Sequence, residues 1–483
     1  MRKGLAAIVG DEHVLDDAAS LAAYAADESF VPRLAPWAVV RPGCAEEVQR
    51  VVAWANKTSA ALVPVSSGPP HFHGDTVPSA PAAVIVELTR MKQILRVDRR
   101  NRMAVIEPGV TYPELQAALA EHGMCVMEPL LPRANKSVVG SLLERQPTLM
   151  PRYNFQMPEP LRSCGVVWGD GQTMFTGEAG AGPESLEAQW RGGLVQADPK
   201  GPAQTDFVRL LTGAQGSMGI VTWAAVRCQL IPAAHKLLFA CGVELADLID
   251  FTYRALRLRL GDELLILDRA YLARLAAAQG SPAAAVELPA WTLVLGLGGR
   301  EHYAAERVRV AEEDARALAE QFGVKLQTSI PGLTTSAVRG ALDDCCAEPW
   351  KLAAKGGSAD VFFHTTLDKA PGYIATAQDV ARSLGFSLSD LGVYIQPQHQ
   401  GVSHHVELSL PFDPGDADEA ARARSFHELA GERLITEGAY FDRPYGSWAG
   451  PVFNRDAASR DALRKVKRIF DPSGVMNPGK LCF

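Results

Sequence analysis

Residues 63–78, VPVSSGPPHFHGDTVP, constrain this chain more than any other stretch. An apolar run leads into them at residues 60–65 and another leads out at 83–88, so the segment reads as a strand, a long tight loop and a strand. Gly68 and Gly74 allow close backbone approach, while Pro69 and Pro70 stiffen the turn. Loops of this build can aim several backbone N–H groups at one anion. The same residues also suit a Pro-rich surface turn. A helix precedes them, because Val48, Val51, Val52 and Ala55 fall on one face of residues 45–56.

Composition narrows the class. A chain of 483 residues exceeds one typical core, so two or three domains are expected. With 47% hydrophobic and 21% charged residues it has the balance of an ordinary soluble protein. The net charge of −7 gives no basic footprint, which argues against nucleic acid as the main partner. No apolar run is long enough for a membrane span. Asp11 and Glu12 break the first apolar run too soon for a signal peptide, so a cytoplasmic protein is expected. The eight cysteines include no C-x-x-C pair and read as reduced thiols, without an iron–sulfur or zinc-ribbon signature.

A second informative stretch is FVRLLTGAQGSMGIVTWAAV, residues 207–226. Gly213, Gly216 and Gly219 are spaced by three and run from a helix-like segment into a strand. The dinucleotide fingerprint runs from a strand into a helix, so a nicotinamide site fails on context. Thr111 is placed to cap a helix carrying Pro113 and Glu114 in its first turn and stopping at Gly123. Residues 180–201 are rich in Gly and Pro and suit either a plain loop or a lid on the substrate side. From about residue 231, strand-like runs alternate with long helices, the pattern of an antiparallel sheet with helices on one side. The turn-rich tail, residues 439–483, is expected to be pinned against a larger body.

Five places, in order along the chain, carry a resemblance. They are VVRP with EEV at residues 39–48, the loop at 64–78, VIEPG at 105–109, LTGAQGSMGIVT at 211–222 and FDPSGVMNPGKL at 470–481. Together they resemble the flavoprotein family of vanillyl-alcohol oxidase, p-cresol methylhydroxylase and glycolate or D-lactate dehydrogenases. The resemblance implies an α+β fold in which a discontinuous FAD-binding domain of the p-cresol methylhydroxylase type carries an antiparallel-sheet cap domain. The first part of the FAD domain is expected over residues 1–230, the cap over 231–430, and the C-terminal return over 431–483. The implied cofactor is FAD. Its loop would use Pro64, Ser66, Ser67, Gly68, Pro69, Pro70, His71 and Gly74. Pro108, Gly109, Ser137, Gly140, Gly213, Gly216, Gly219, Ile220, Val221 and Asn477 complete the expected FAD contacts. Where relatives link FAD to a histidine of this loop, Pro70 stands here and His71 lies one step off, so FAD is expected to be non-covalent.

The resemblance also assigns roles at the substrate. His73 falls where the p-cresol methylhydroxylase group has a phenol-binding Tyr, and Arg443 in GAYFDR falls on its phenolate-binding Arg. Asp442 stands in place of a second Tyr. On the strand GVSHHVELSLPFD, alternation puts His405, Glu407 and Ser409 on one face, with His405 as base or proton relay. Tyr394, Gln396 and Gln398 alternate on the preceding strand and face the same pocket; Arg152, Tyr153, Tyr440 and Tyr445 are further candidates. His399, His405 and Glu407 have metal-ligand chemistry, but the H-x-G-D-G-N-x-H motif of the glycolate branch is missing and no metal is assigned. The expected activity is an FAD-dependent dehydrogenase, rather than an oxidase, for a small alcohol or para-substituted phenol with an anionic handle. The alternatives are a 2-hydroxy-acid dehydrogenase of the glycolate or D-lactate type, a flavin electron-transfer subunit of a larger redox complex, and a structural member without cofactor. The partners implied are a small-molecule substrate and an iron–sulfur, cytochrome or electron-transfer flavoprotein chain, and a homodimer is compatible with the family.

Overall fold

A computed structural model of the chain describes residues 1–150, 160–181, 185–193, 205–281 and 288–483. Three sheets follow one another along it. The first holds β1 (Val14–Leu15), β2 (Ala38–Val40), β3 (Leu62–Val65) and β4 (Val84–Glu87) in the order β1-β2-β4-β3. β2 and β3 both run parallel to β4, and the helix Ala45–Thr58 makes the crossover between them. Its Val48, Val51, Val52 and Ala55 are buried against β2 to β4, as their helical spacing requires. Two short helices, Arg2–Val9 and Ala18–Ala22, flank β1.

The second sheet contains β5 (Ile94–Asp98), β6 (Met103–Ile106), β7 (Met124–Val126), β8 (Leu161–Trp168), β9 (Thr173–Phe175) and β10 (Gly219–Leu230). Its order is β5-β6-β10-β8-β9, with β7 also paired to β10, and every pairing is antiparallel. β10 starts at Gly219, so the glycine triad does run from a helix, Val208–Leu211, into a strand. The helix Tyr112–Ala120 starts with a capping box, Glu114 Oε2 accepting from the Thr111 N–H at 3.0 Å.

The third sheet is antiparallel and seven-stranded, with β11 (Ala234–Gly242), β12 (Glu263–Asp268), β13 (Trp291–Gly299), β14 (Leu326–Gln327), β15 (Gly357–Thr365), β16 (Gly392–Gln398) and β17 (Ser403–Phe412). The order is β14-β11-β13-β12-β16-β17-β15. The expectation of helices on one side needs correction. Leu238, Leu264, Ile266 and Leu295 pack under the helices Ala246–Arg257, Ala304–Gln321, Ala370–Ser383 and Ala417–Glu437. Leu237, Phe239, Leu265 and Val294 face the other way and pack on the helices Arg269–Ala278 and Thr335–Asp343. Alternating strands that are apolar at successive positions must be covered on both faces.

That second face changes character at β15, β16 and β17. Register places Phe362, Glu407 and Tyr394 in one row across the three strands, with His364, His405 and Gln396 in the next. The chain then returns. Met476 bridges to Leu62 at the edge of β3, held by Leu62 N–H to Val475 O and Asn477 N–H to Leu62 O, both 2.8 Å. Among the described residues no helix is long and apolar enough to cross a membrane.

Candidate active site

Two cavities meet between the first two sheets and the third. The inner one, about 100 Å³, is lined by Pro64, Ser66, Ser67, His71, Pro108, Gly140, Gly213, Gly216, Gly219, Ile220 and Val221. Here the glycines matter individually. A Cβ on Gly140 would stand 2.5 Å from Ser66 Oγ, and one on Gly216 2.6 Å from Pro64 Cγ, with φ at +69°. Small residues therefore hold this cradle's walls together and its space open.

The remaining predicted cradle residues stand behind that wall. Ser137 N–H donates to Ser67 Oγ at 3.0 Å, and its hydroxyl donates to Pro108 O at 2.5 Å. Gly68 N–H donates to Asn135 O at 3.1 Å, and Asn135 Nδ2 donates to Pro69 O at 2.7 Å, which ties Gly68, Pro69 and Pro70 to the 133–137 loop. Gly109 N–H donates to Met91 O at 2.6 Å. Gly74 donates its N–H to Asp27 at 2.6 Å and accepts from Lys480 at 2.7 Å. Asn477 Nδ2 donates to Asp75 O at 2.8 Å and Gln215 O at 2.6 Å, joining both glycine loops to the tail. Its Oδ1 and the Nε2 of His71 are buried with no hydrogen-bond partner among the described residues. Orphaned polar atoms beside a space kept open by small residues fit a polar, extended cofactor such as FAD.

The outer cavity, about 180 Å³, is lined by all five residues expected at the substrate: His73, Tyr394, His405, Glu407 and Arg443. His71, Asp75, Thr76 and Glu144 line both cavities and mark their junction. Arg443 is buried; its guanidinium lies 4.3 Å over the Phe362 ring. Asp442 approaches its Nε at 3.6 Å, too far for a hydrogen bond, and Nη2 reaches His405 Nδ1 only at 3.4 Å. A buried cation held this loosely has donors left for a ligand.

Glu407 is fixed more tightly. Lys351 Nζ donates to Glu407 Oε1 at 2.6 Å and to Asp360 Oδ2 at 2.9 Å, and the Tyr271 hydroxyl donates to Glu407 Oε1 at 2.8 Å. Burial works against the charge, yet Lys351 and His405 hold the Glu407 carboxyl well below its usual range. Burial lowers the His405 imidazole; Glu407 opposes this and Arg443 adds to it, so the ring is neutral. Its Nε2 has no hydrogen-bond partner among the described residues, and Glu407 Oε2 lies 3.9 Å away. Burial pushes His73 down to about 4; its ring stacks on Tyr445 at 4.7 Å and meets Phe362 edge-on at 5.5 Å. Burial, with Glu144 nearby, pushes the Asp75 carboxyl up to about 7.

Several expectations are corrected. Gln396 and Gln398 do not line the cavity: Gln396 Nε2 donates to Leu264 O at 2.9 Å and Gln398 Nε2 to Pro397 O at 2.9 Å. Tyr440 is 60% exposed, and Tyr445 belongs to the inner cavity. Arg152 and Tyr153 lie outside the described residues, as does part of the 180–201 segment. No group of three His, Cys, Asp or Glu among the described residues is placed to hold a metal ion. Sequence reasoning missed Lys351, Asp360, Tyr271 and Trp350, all at the outer cavity. Asp360 and Phe362 had a signal, since polar Ser358 and Asp360 alternate with apolar residues in SADVFF. Lys351 had none, because it sits in an irregular connection.

Comparison with known proteins agrees with this geometry. Residues 36–173 match a family model described as FAD binding domain. The chain is 24% identical, over 98% of its length and 90% of the relative's, to a probable mitochondrial D-lactate dehydrogenase of Danio rerio. In fold it is similar to p-cresol methylhydroxylase with substrate bound, at TM-score 0.81 and 19% identity, covering 100% of this chain and 96% of the other. It is also similar to 4-ethylphenol oxidase from Gulosibacter chungangensis, at TM-score 0.78 and 18% identity, covering 99% and 96%. An FAD-binding cradle opening onto a pocket of titratable side chains defines an FAD-dependent oxidoreductase. Within that class, the chain has the fold of p-cresol methylhydroxylase, and its FAD-binding segment is that of the FAD binding domain model.

Proposed function

We propose that this protein is a dehydrogenase that takes a hydride from a small alcohol or para-substituted phenol while Arg443 holds the substrate's anionic oxygen. The observation that carries this reading is the buried Arg443 guanidinium, short of hydrogen-bond partners, in an aromatic-walled cavity that adjoins the cradle. The planar fork of Arg suits a phenolate, and Phe362, Trp350, Tyr271 and Tyr394 suit a flat ring. Bound FAD supplies the hydride acceptor. His405, a neutral imidazole, takes or relays the proton that leaves the substrate oxygen. Glu407, held as an anion, orients that imidazole rather than acting as the base. In this reading residues 1–230 and 431–483 form the FAD-binding unit and residues 231–430 the substrate side. FAD is held non-covalently, and an iron–sulfur, cytochrome or electron-transfer flavoprotein chain receives the electrons.

One observation favours a second reading. The D-lactate dehydrogenase relative matches almost the whole chain, and a carboxylate would suit Arg443 as well as a phenolate does. Dye-linked turnover separates the two. Our reading expects 4-alkylphenols and aromatic alcohols to be oxidised with kcat/KM at least about 100-fold above D-lactate or D-2-hydroxyglutarate, the scale of one charged, shape-matched contact set. The reverse order would replace it with the 2-hydroxy-acid reading.

A further inference from the structure

A third cavity, about 330 Å³, abuts the other two. Phe72, His73, Asp360 and Phe362 line it and also line the outer cavity, so these four residues form the shared wall. Tyr445 lines it and also lines the cradle. Its deep wall adds Phe30 and Trp448, with His427 stacked on Trp448 at 4.3 Å. Glu28, Arg424, Glu428 and Ser447, all exposed, form its mouth, Arg424 lying 5.8 Å over the Phe30 ring. The first two cavities differ in this respect, because every residue lining them is buried or half-buried.

We propose that this third cavity is an outer binding site through which an aromatic substrate passes to Arg443, and that the rings of His73 and Phe362 form the gate. Geometry carries the inference. With the cradle holding FAD, the inner cavity is filled, and among the described residues only the third cavity has exposed residues in its lining. The mouth carries both signs of charge, from Arg424 against Glu28 and Glu428, so it does not select for an anion. Selection comes from the rings of Phe30, Tyr445 and Trp448, which favour a flat aromatic molecule by stacking. The gate needs only side-chain rotation: the His73 ring swings off Tyr445, and Phe362 turns between Arg443 on one side and Trp448, 5.4 Å away, on the other. The inference rests on the phenol reading for its substrate.

The test is to narrow the mouth at residues outside the reacting cavity, with Ser447→Trp and, independently, Glu428→Trp. The holoenzyme is mixed rapidly with 4-nitrophenol, whose visible band reports binding, and separately with an oxidisable 4-alkylphenol under anaerobic conditions. Both variants should slow 4-nitrophenol association at least about tenfold and lower the second-order rate of flavin reduction equally, with the limiting reduction rate within about twofold of the unmodified enzyme. Unchanged association in both variants would overturn the proposal, as would failure of the unmodified enzyme to bind 4-nitrophenol. Slowed 4-nitrophenol binding, with no phenol reducing the flavin, would leave the passage standing and remove the phenol reading instead.

Discussion

Arg443 and Glu407 are both buried charges, yet they are held in opposite ways. Arg443 has an ion pair at 3.6 Å that is no hydrogen bond, whereas Glu407 has a lysine at 2.6 Å and a tyrosine at 2.8 Å. The first arrangement leaves donors for a ligand, whereas the second neutralises the charge within the protein. Arg443→Ala should therefore lower kcat/KM roughly ten- to a hundredfold, since a charged hydrogen bond is worth about 1.5–3 kcal/mol. Arg443→Lys should recover only part of this, because the charge returns without the fork. Lys351→Met should act differently. With its cation gone, burial of Glu407 is unopposed by Lys351 and the carboxyl rises from its depressed position. The acid limb of the pH profile for flavin reduction should then move to higher pH, while the rate at alkaline pH changes little. An unshifted acid limb would exclude Glu407 from the site's electrostatics. At this scale the sequence was informative where a strand's alternation exposed a pattern, as for His405 and Glu407, and silent where a residue such as Lys351 arrives from an irregular connection.

The elements behave as their local chemistry dictates where local chemistry decides. The Thr111 and Glu114 capping box, the amphipathic helix Ala45–Thr58 and the helix-to-strand direction of the glycine triad were all legible in the residues. The third sheet was misread as covered on one side, because runs such as LLILD in β12 do not themselves say which helix covers which face. The cradle gives a prediction at this scale. Gly216→Ala adds a Cβ against Pro64 at a φ of +69°, a strain of roughly 1–3 kcal/mol. It should weaken FAD binding about five- to a hundredfold, read by titrating apoprotein with FAD and following flavin fluorescence. Gly171→Ala is the control: its φ is +88°, but nothing lies within 4 Å and its turn is outside the cradle, so FAD affinity should not change.

For the molecule as a whole, burial keeps many imidazoles neutral. His71, His73, His364 and His427 are each pushed down to about 4 and His404 to about 3, with burial the largest cause throughout. In the unfolded chain they titrate near 6.5, so their contribution is complete above that pH and is lost as pH falls toward 4. Asp75, Asp268 and Glu128, pushed up to about 7, 6 and 8 mainly by burial, oppose this trend. His405 is lowered as well, and the depressed carboxyls of Glu144, Glu263, Glu407 and Asp442 lose their contribution on the same acid side, so the melting temperature should decline from pH 6.5 to pH 4, as thermal unfolding monitored by circular dichroism would show. A flat or rising profile would mean that these rings are protonated in the folded state.

The return of the tail to β3 was readable from its turn-rich FDPSGVMNPGKL segment. The meeting of His73, Phe362 and Arg443 was not, because it depends on how the first loop, the third sheet and the tail come together. That meeting is the centre of the account, and anaerobic titration of the purified holoprotein with a 4-alkylphenol tests it most directly. The account predicts that one equivalent bleaches the flavin band and that Arg443→Ala requires a large excess, with the yellow colour released by acid precipitation. Bleaching by D-2-hydroxy acids but not by phenols, in a protein whose Arg443→Ala variant titrates like the original, would contradict it.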